Sequence, residues 1–153
     1  MIMPRIVIGS DHGGFELKEN LKQYLIDEGY QVQDFGCHSK DPVDYPDIAF
    51  LVATSVSNSD NTLGVMIDTL GVASAMVANK IPNVRAVCCW SETTAWSSRN
   101  HNNANVLTLG GGIMGPFLAQ RIVKKWLETE YAGGRHERRV QKIRDIENRF
   151  LKD

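Results

Sequence analysis

Short β-branched or apolar runs alternate with stretches of helical spacing along the whole chain. Residues 5–9 (RIVIG) read as a strand. Leu17, Leu21, Tyr24 and Leu25 then recur at helical intervals with charges between them, and Gly29 closes that helix. Residues 30–35 alternate as a second strand. The polar stretch 38–46, with Pro42 and Pro46, is a loop. Ile48, Val52 and Val56 mark a second helix. Val65, Met66 and Ile67 form a third strand that opens into a turn and then an apolar helix to about Lys80. Residues 85–90 read as strand four, and Ser91, followed by Glu92 and Thr93, opens a helix ending near HNNAN at 101–105. Residues 106–109 are strand five and residues 110–112 (GGG) a turn. Met114, Leu118, Ile122 and Trp126 pattern a fifth helix, and Val140, Ile143, Ile146 and Phe150 a last one.

Five strands alternating with helices indicate a parallel, doubly wound, Rossmann-like sheet covered on both faces. No repeat, low-complexity segment or linker divides the chain, so residues 1–153 are expected to form a single domain. The last helix has no strand after it. Its apolar stripe either packs on a second subunit or folds back on its own sheet.

Composition narrows the function classes. Apolar content of 42%, charged content of 23% and a net charge of -1 are those of a soluble globular protein with no call for nucleic acid. No apolar run approaches a membrane span, and the start goes straight into a strand without a signal's apolar region. The three cysteines, Cys37, Cys88 and Cys89, are odd in number with two adjacent, which suits thiols in a reducing cytoplasm better than disulfides.

The residues with candidate chemistry fall mainly at strand ends. Asp68 closes strand three, and Gly71 permits close approach of backbone to a bound molecule. As a carboxylate before a helix, Asp68 reads first as a cap and second as a general base. Asp11 and His12 follow strand one at the same edge, where a carboxylate can orient an imidazole or share its proton. Ahead of Gly13 and Gly14, they read either as a helix cap and turn or as groups meeting a ligand. His101 lies among Asn100, Asn102 and Asn103, a donor- and acceptor-rich helix end that would also suit sugar hydroxyls. Arg135 and Arg139, four apart, would share one side of a helix and suit a phosphate, or form a solvated basic face with Glu137 or Asp145. Residues 110–112 would offer backbone amides to a phosphate. They do not form GxGxxG and no acidic partner follows strand one, so a nicotinamide cofactor is not expected. Nor do the histidines and cysteines have metal-ligand spacing. Tyr45, before Pro46, is a loop aromatic that belongs either to the core or to a site.

Taken in order, GSDHGGFELK, DYP at 44–46, the turn after strand three with ANK at 78–80, RNHNNANVL and YAGGRHERRV resemble the ribose-5-phosphate isomerase B family, which includes both subunits of galactose-6-phosphate isomerase. The resemblance runs from about residue 5 to 150. It implies a five-stranded parallel sheet in an α/β/α sandwich and cofactor-free interconversion of aldose and ketose phosphates through an enediolate. It also implies an active site at a dimer interface, in a homodimer or dimer of dimers. By resemblance, Asp11 and His12 contact the sugar, Tyr45, Gly71 and Ser74 line the site, and His101 helps open the ring. Asn102 holds the enediolate oxygen, and Arg135 and Arg139 bind phosphate from the neighbouring subunit.

This chain departs from the family at its centre. Members of one type carry Cys-Gly-Thr-Gly at the end of strand three, with the Cys as base; here the residues are Asp68, Thr69, Leu70 and Gly71. Another type has a Glu base six residues on, where this chain has Ser74. Gly112 stands where some members have Arg. Asp in the Cys place resembles the A subunit of galactose-6-phosphate isomerase, although such subunits tend to lack His12. Three readings follow: a homo-oligomeric isomerase with Asp68 as substitute base, which we prefer; a subunit whose base comes from a partner chain; and a phosphosugar-binding protein without catalysis.

Overall fold

A computed structural model describes residues 2–151. Its strands are β1 (Arg5–Ser10), β2 (Val32–Asp34), β3 (Thr62–Asp68), β4 (Ala86–Cys88) and β5 (Val106–Gly110). The helices are α1 (Phe15–Asp27), α2 (Tyr45–Ser57), α3 (Val72–Ala78), α4 (Glu92–Asn100), α5 (Pro116–Glu128) and α6 (Arg135–Phe150), and a 3₁₀ turn, His12–Gly14, precedes α1.

All strand pairs are parallel, in the order β2-β1-β3-β5-β4. Side chains alternate across the sheet, as strand geometry requires. Ile6, Ile8, Val65, Ile67, Leu107 and Leu109 face one way, onto Leu21 and Leu25 of α1, Ala95 of α4, and Ile122 and Trp126 of α5. Val7, Met66 and Val106 face the other way, onto Val52 and Val56 of α2 and Ala78 of α3. The result is the expected α/β/α sandwich with two cores. Each wholly buried Leu or Ile adds about 1.5–3 kcal/mol, so these layers hold the strand ends in fixed positions.

Local chemistry sets the helix starts. Ser91 caps α4 in a reciprocal box with Thr94. Pro46 lies in the first turn of α2, where its missing N–H leaves no bond unmade. The expected loop 38–46 therefore ends earlier, and Tyr45 begins a helix. The regular parts of strands two and four, Val32–Asp34 and Ala86–Cys88, are shorter than residues 30–35 and 85–90 suggest. Backbone bonds nevertheless continue past them, from the Phe35 amide to the Ile8 carbonyl at 2.9 Å and from the Cys89 amide to the Thr108 carbonyl at 3.2 Å.

Lys18 of α1 is wholly buried. Its ammonium bonds both oxygens of Asp34 at 2.8 and 2.7 Å and the carbonyl of Cys37 at 2.6 Å, fastening α1 to the end of β2. On α6 only Val140 is buried, while Ile143, Ile146 and Phe150 are 48%, 54% and 80% exposed. The apolar stripe of α6 is thus largely exposed, even though the helix reaches the β4 edge, where Glu147 accepts from the Asn83 amide at 3.0 Å.

Candidate active site

The chain leaves β1 toward β2 on one side and returns to β3 on the other. The crevice beyond the carboxyl ends of β1 and β3 is therefore the topological switch point, where open α/β sheets hold ligands. Asp11 directly follows β1, and Asp68 is the last residue of β3. The Asp11 amide donates to the Ile67 carbonyl at 3.2 Å, which ties the two loops together.

A third loop closes on them. The amides of Gly111 and Gly112 donate to the carbonyls of Asp68 and Thr69 at 2.8 and 2.9 Å. Those donors are spent within the fold, so the expected phosphate cradle at 110–112 does not form. Thr69 is lodged between Gly13 and Gly112: a Cβ on Gly112 would lie 2.7 Å from Thr69 Cγ2, and one on Gly13 would overlap the Thr69 hydroxyl.

Asp68 is 5% exposed and surrounded by donors. Its Oδ1 accepts from the amides of Leu70 (2.9 Å) and Gly71, and its Oδ2 from the amide and hydroxyl of Ser74 (2.9 and 2.5 Å). An ionised carboxylate has about four acceptor positions, and here four donors take them. Gly71 makes this wrap possible with φ of +81°, a conformation that costs glycine little. Its carbonyl is fixed in turn by the Thr108 hydroxyl at 2.6 Å. The geometry matches the cap reading of Asp68 and leaves no lone pair free for a base. Ser74 is wholly buried in the single chain, with its hydroxyl on Asp68. Leu70, half exposed, occupies the rim.

Asp11 differs from Asp68. It is 6% exposed, and its Oδ1 caps the 3₁₀ turn through the Gly14 amide at 3.2 Å. Among the described residues nothing bonds Oδ2, and that oxygen is not sealed from solvent. Burial pushes the Asp11 carboxyl above its ordinary range, against the pull of the Gly14 amide and His12, and the charge of Asp68 adds to the rise. His12 is exposed, and its Nδ1 accepts from the Val43 amide at 3.2 Å. In the neutral ring this bond places the hydrogen on Nε2, which is then a donor. The same bond draws the 38–44 loop, and Tyr45 after it, toward Asp11 and His12. Tyr45 is half-buried and packs against the α2 core.

The remaining candidates lie at the other edge. Helix α4 runs back from the carboxyl end of β4, so His101, its C-cap, and Asn102 stand before the start of β5. A five-residue strand spans about 17 Å, so His101 and Asn102 are well apart from Asp11 and Asp68 in one chain. The His101 ring lies edge-on to Trp96 (centroids 5.0 Å apart) and is stacked on His136 (4.3 Å). Its Nδ1 is 3.1 Å from the Ser97 hydroxyl. Arg135 begins α6 beside His136, and Arg139 follows one turn later. Among the described residues neither arginine has an ion-pair partner. Glu137 is taken by Arg144 and Tyr131, and Asp145 by Gln141. The solvated face paired with Glu137 or Asp145 therefore does not form.

Sequence reasoning missed Thr69, Trp96 and His136. For His136 a signal existed, a second histidine flanked by the two phosphate-binding candidates. The 35-residue gap to His101 hid the stack.

Together these features define a doubly wound α/β protein with a polar crevice at its switch point and an imidazole–guanidinium cluster at the opposite edge. The chain belongs to the ribose/galactose isomerase family, whose model matches residues 6–143. It is 41% identical over 147 residues to ribose-5-phosphate isomerase B of Escherichia coli, covering 96% of this chain and 99% of the relative. It is also 41% identical over 138 residues to a galactose-6-phosphate isomerase subunit LacA of Streptococcus pyogenes, covering 90% of this chain and 96% of that one. Among solved structures, ribose-5-phosphate isomerase B of Clostridium thermocellum superposes with a TM-score of 0.94 at 44% identity, covering 96% of this chain and 99% of that chain. The Mycoplasma genitalium enzyme, solved with bound ribulose-5-phosphate, gives 0.91 at 41%, covering 94% and 96%.

Proposed function

We propose that this chain is a sugar-phosphate isomerase that interconverts an aldose phosphate of the ribose 5-phosphate type and its ketose through an enediolate, without a cofactor. The observation that carries this reading is the division of the site. A carboxylate–imidazole pair stands at one edge of the sheet and, at the other, His101 with two arginines that have no ion-pair partner among the described residues. Two copies placed edge to edge would unite them, and the exposed stripe of Ile143, Ile146 and Phe150 on α6 suits the contact between copies.

In that arrangement Arg135 and Arg139 of one copy anchor the phosphate, whose binding energy positions the reacting carbons. His101 protonates the ring oxygen as the sugar opens, and Asn102 donates to the enediolate oxygen. His12 Nε2–H polarises the carbonyl, while Tyr45 and Gly71 line the sugar. Asp68 stands in the family's base position, and its four bonds suit it to anchoring the turn.

A second reading is a subunit of a two-chain isomerase of the galactose-6-phosphate type, with the base supplied by a partner. The saturated Asp68 favours it.

The test uses the purified chain alone in heavy water with tetrose, pentose and hexose phosphates, following deuterium entry at C2 of the aldose or C1 of the ketose by NMR. Exchange with one sugar is expected. No exchange in a sample that still binds phosphosugar would overturn the reading and favour the two-chain enzyme or a binding protein without catalysis.

A further inference from the structure

We infer that Asp11, rather than Asp68, takes the substrate's C2 proton in this chain. The inference rests on the isomerase reading above and assigns its missing base.

The argument begins with what the crevice offers. Both familiar base positions bond to each other: Asp68 occupies one, and Ser74, in the other, gives Asp68 its amide and its hydroxyl. A base needs a free lone pair within reach of the proton, and Asp68 keeps none. Cys88, at the end of β4, directs its Sγ to the Leu70 carbonyl at 3.7 Å. Burial pushes that thiol up, so at neutral pH it is a protonated donor. His12 accepts at Nδ1 from Val43 and is left with a donor at Nε2. Thr69 is an ordinary hydroxyl.

Asp11 is the group left with the necessary properties. Its Oδ1 is fixed by the Gly14 amide, its backbone amide by Ile67, and its Oδ2 is unbonded among the described residues. It stands at the switch point, where a ligand enters beside His12. The groups acting on it are the amides of Gly13 and Gly14, the ring of His12 and the carboxylate of Asp68. Burial and Asp68 raise its proton affinity, which makes it a stronger base than an exposed aspartate.

The step balances without a co-reactant. The C2–H bond breaks, its proton passes to Asp11 Oδ2, and its electron pair forms the C1=C2 bond as the carbonyl pair moves onto O1. The proton on O2 moves to O1. The proton on Asp11 is delivered to C1, C2 becomes the carbonyl carbon, and the carboxylate is restored.

The experiment compares wild type, Asp11→Asn and Asp68→Asn in the deuterium exchange assay, with thermal unfolding on each. Asn keeps an oxygen for the Gly14 cap, so Asp11→Asn is expected to unfold near the wild-type temperature. A general base contributes about 10²–10⁴-fold, so exchange should fall by that factor with KM little changed. Exchange by Asp11→Asn within tenfold of wild type, with Asp68→Asn falling further, would overturn the inference and return the proton to Asp68. Wild type that exchanges with no sugar would instead defeat the isomerase reading itself. The wild-type pH profile needs no variant. The acid limb of kcat/KM should lie above the ordinary aspartate range of about 4, and a profile flat down to that pH would also overturn the assignment.

Discussion

Ser74 gives both its donors, the backbone amide and the side-chain hydroxyl, to one oxygen of Asp68. Removing the hydroxyl leaves a buried carboxylate oxygen with one donor fewer. Hydrogen bonds to charged groups are worth about 1.5–3 kcal/mol, so Ser74→Ala should lower stability by roughly that much in chemical denaturation. The KM for the sugar phosphate should barely move. A tenfold rise in KM at unchanged stability would place Ser74 on the substrate after all.

Arg135 and Arg139 have no ion-pair partner among the described residues and can meet an anion. Each charge-assisted bond lost costs about 1.5–3 kcal/mol, so Arg135→Ala or Arg139→Ala should raise KM about 10-fold or more and lower kcat/KM with it. Inhibition by inorganic phosphate should weaken in step. Unchanged kinetics in both variants would remove the phosphate from α6.

His136 offers a local probe of the same site. Desolvation first, then the charges of His101, Arg135 and Arg139, hold its imidazole below the ordinary histidine value. Its ring resonances should therefore titrate at lower pH than those of a free histidine. Phosphate bound at the arginines would offset their charge and move the titration upward. An NMR titration with and without inorganic phosphate reads this directly.

The pairing of Lys18 with Asp34 predicts acid sensitivity. Burial alone would raise the Asp34 carboxyl, but the bonds from Lys18, Lys22 and the Gly36 amide outweigh it and hold it below its ordinary value. A lowered carboxyl contributes stability above its unfolded pKa of about 3.9 and loses it as pH falls through the folded value. Asp34→Asn leaves the wholly buried Lys18 with only the more exposed Glu19, at 3.1 Å, as counter-charge. The loss should approach, but not exceed, the roughly 3–5 kcal/mol of a fully unpaired buried charge. The variant should also lose part of the wild type's fall in stability between about pH 5 and 2. Denaturation curves across that range would show it.

How much of this was readable in advance varies along the chain. The interior strands stood out because Ile6 to Ile8 and Val65 to Ile67 are buried on both faces and read as unbroken apolar runs. The edge strands are less regular than their patterns suggest: Tyr30 bonds back to Leu25 of α1 and packs on the core, whereas Phe35 still donates its amide to Ile8 of β1 beyond the regular strand. Asp11, His12, Asp68, His101 and the two arginines were all singled out, and their division between two edges followed once α4 was seen to run back. Two features were hidden. The wrap of Asp68 depends on a left-handed backbone at Gly71 and on Ser74 six residues away, and no local pattern encodes that closure. The choice between Asp11 and Asp68 depends on counting donors around each oxygen, which needs coordinates.

The placement of Asp11 and His101 at opposite edges has a genetic consequence. In the shared-site arrangement proposed above, each crevice draws one half from each copy. A subunit disabled at Asp11 and another disabled at His101 are each inert when assembled with themselves. Assembled together, they leave one crevice with both defects and the other with none. Two dead alleles would then complement within a single cell, and two variants damaged in the same half would not.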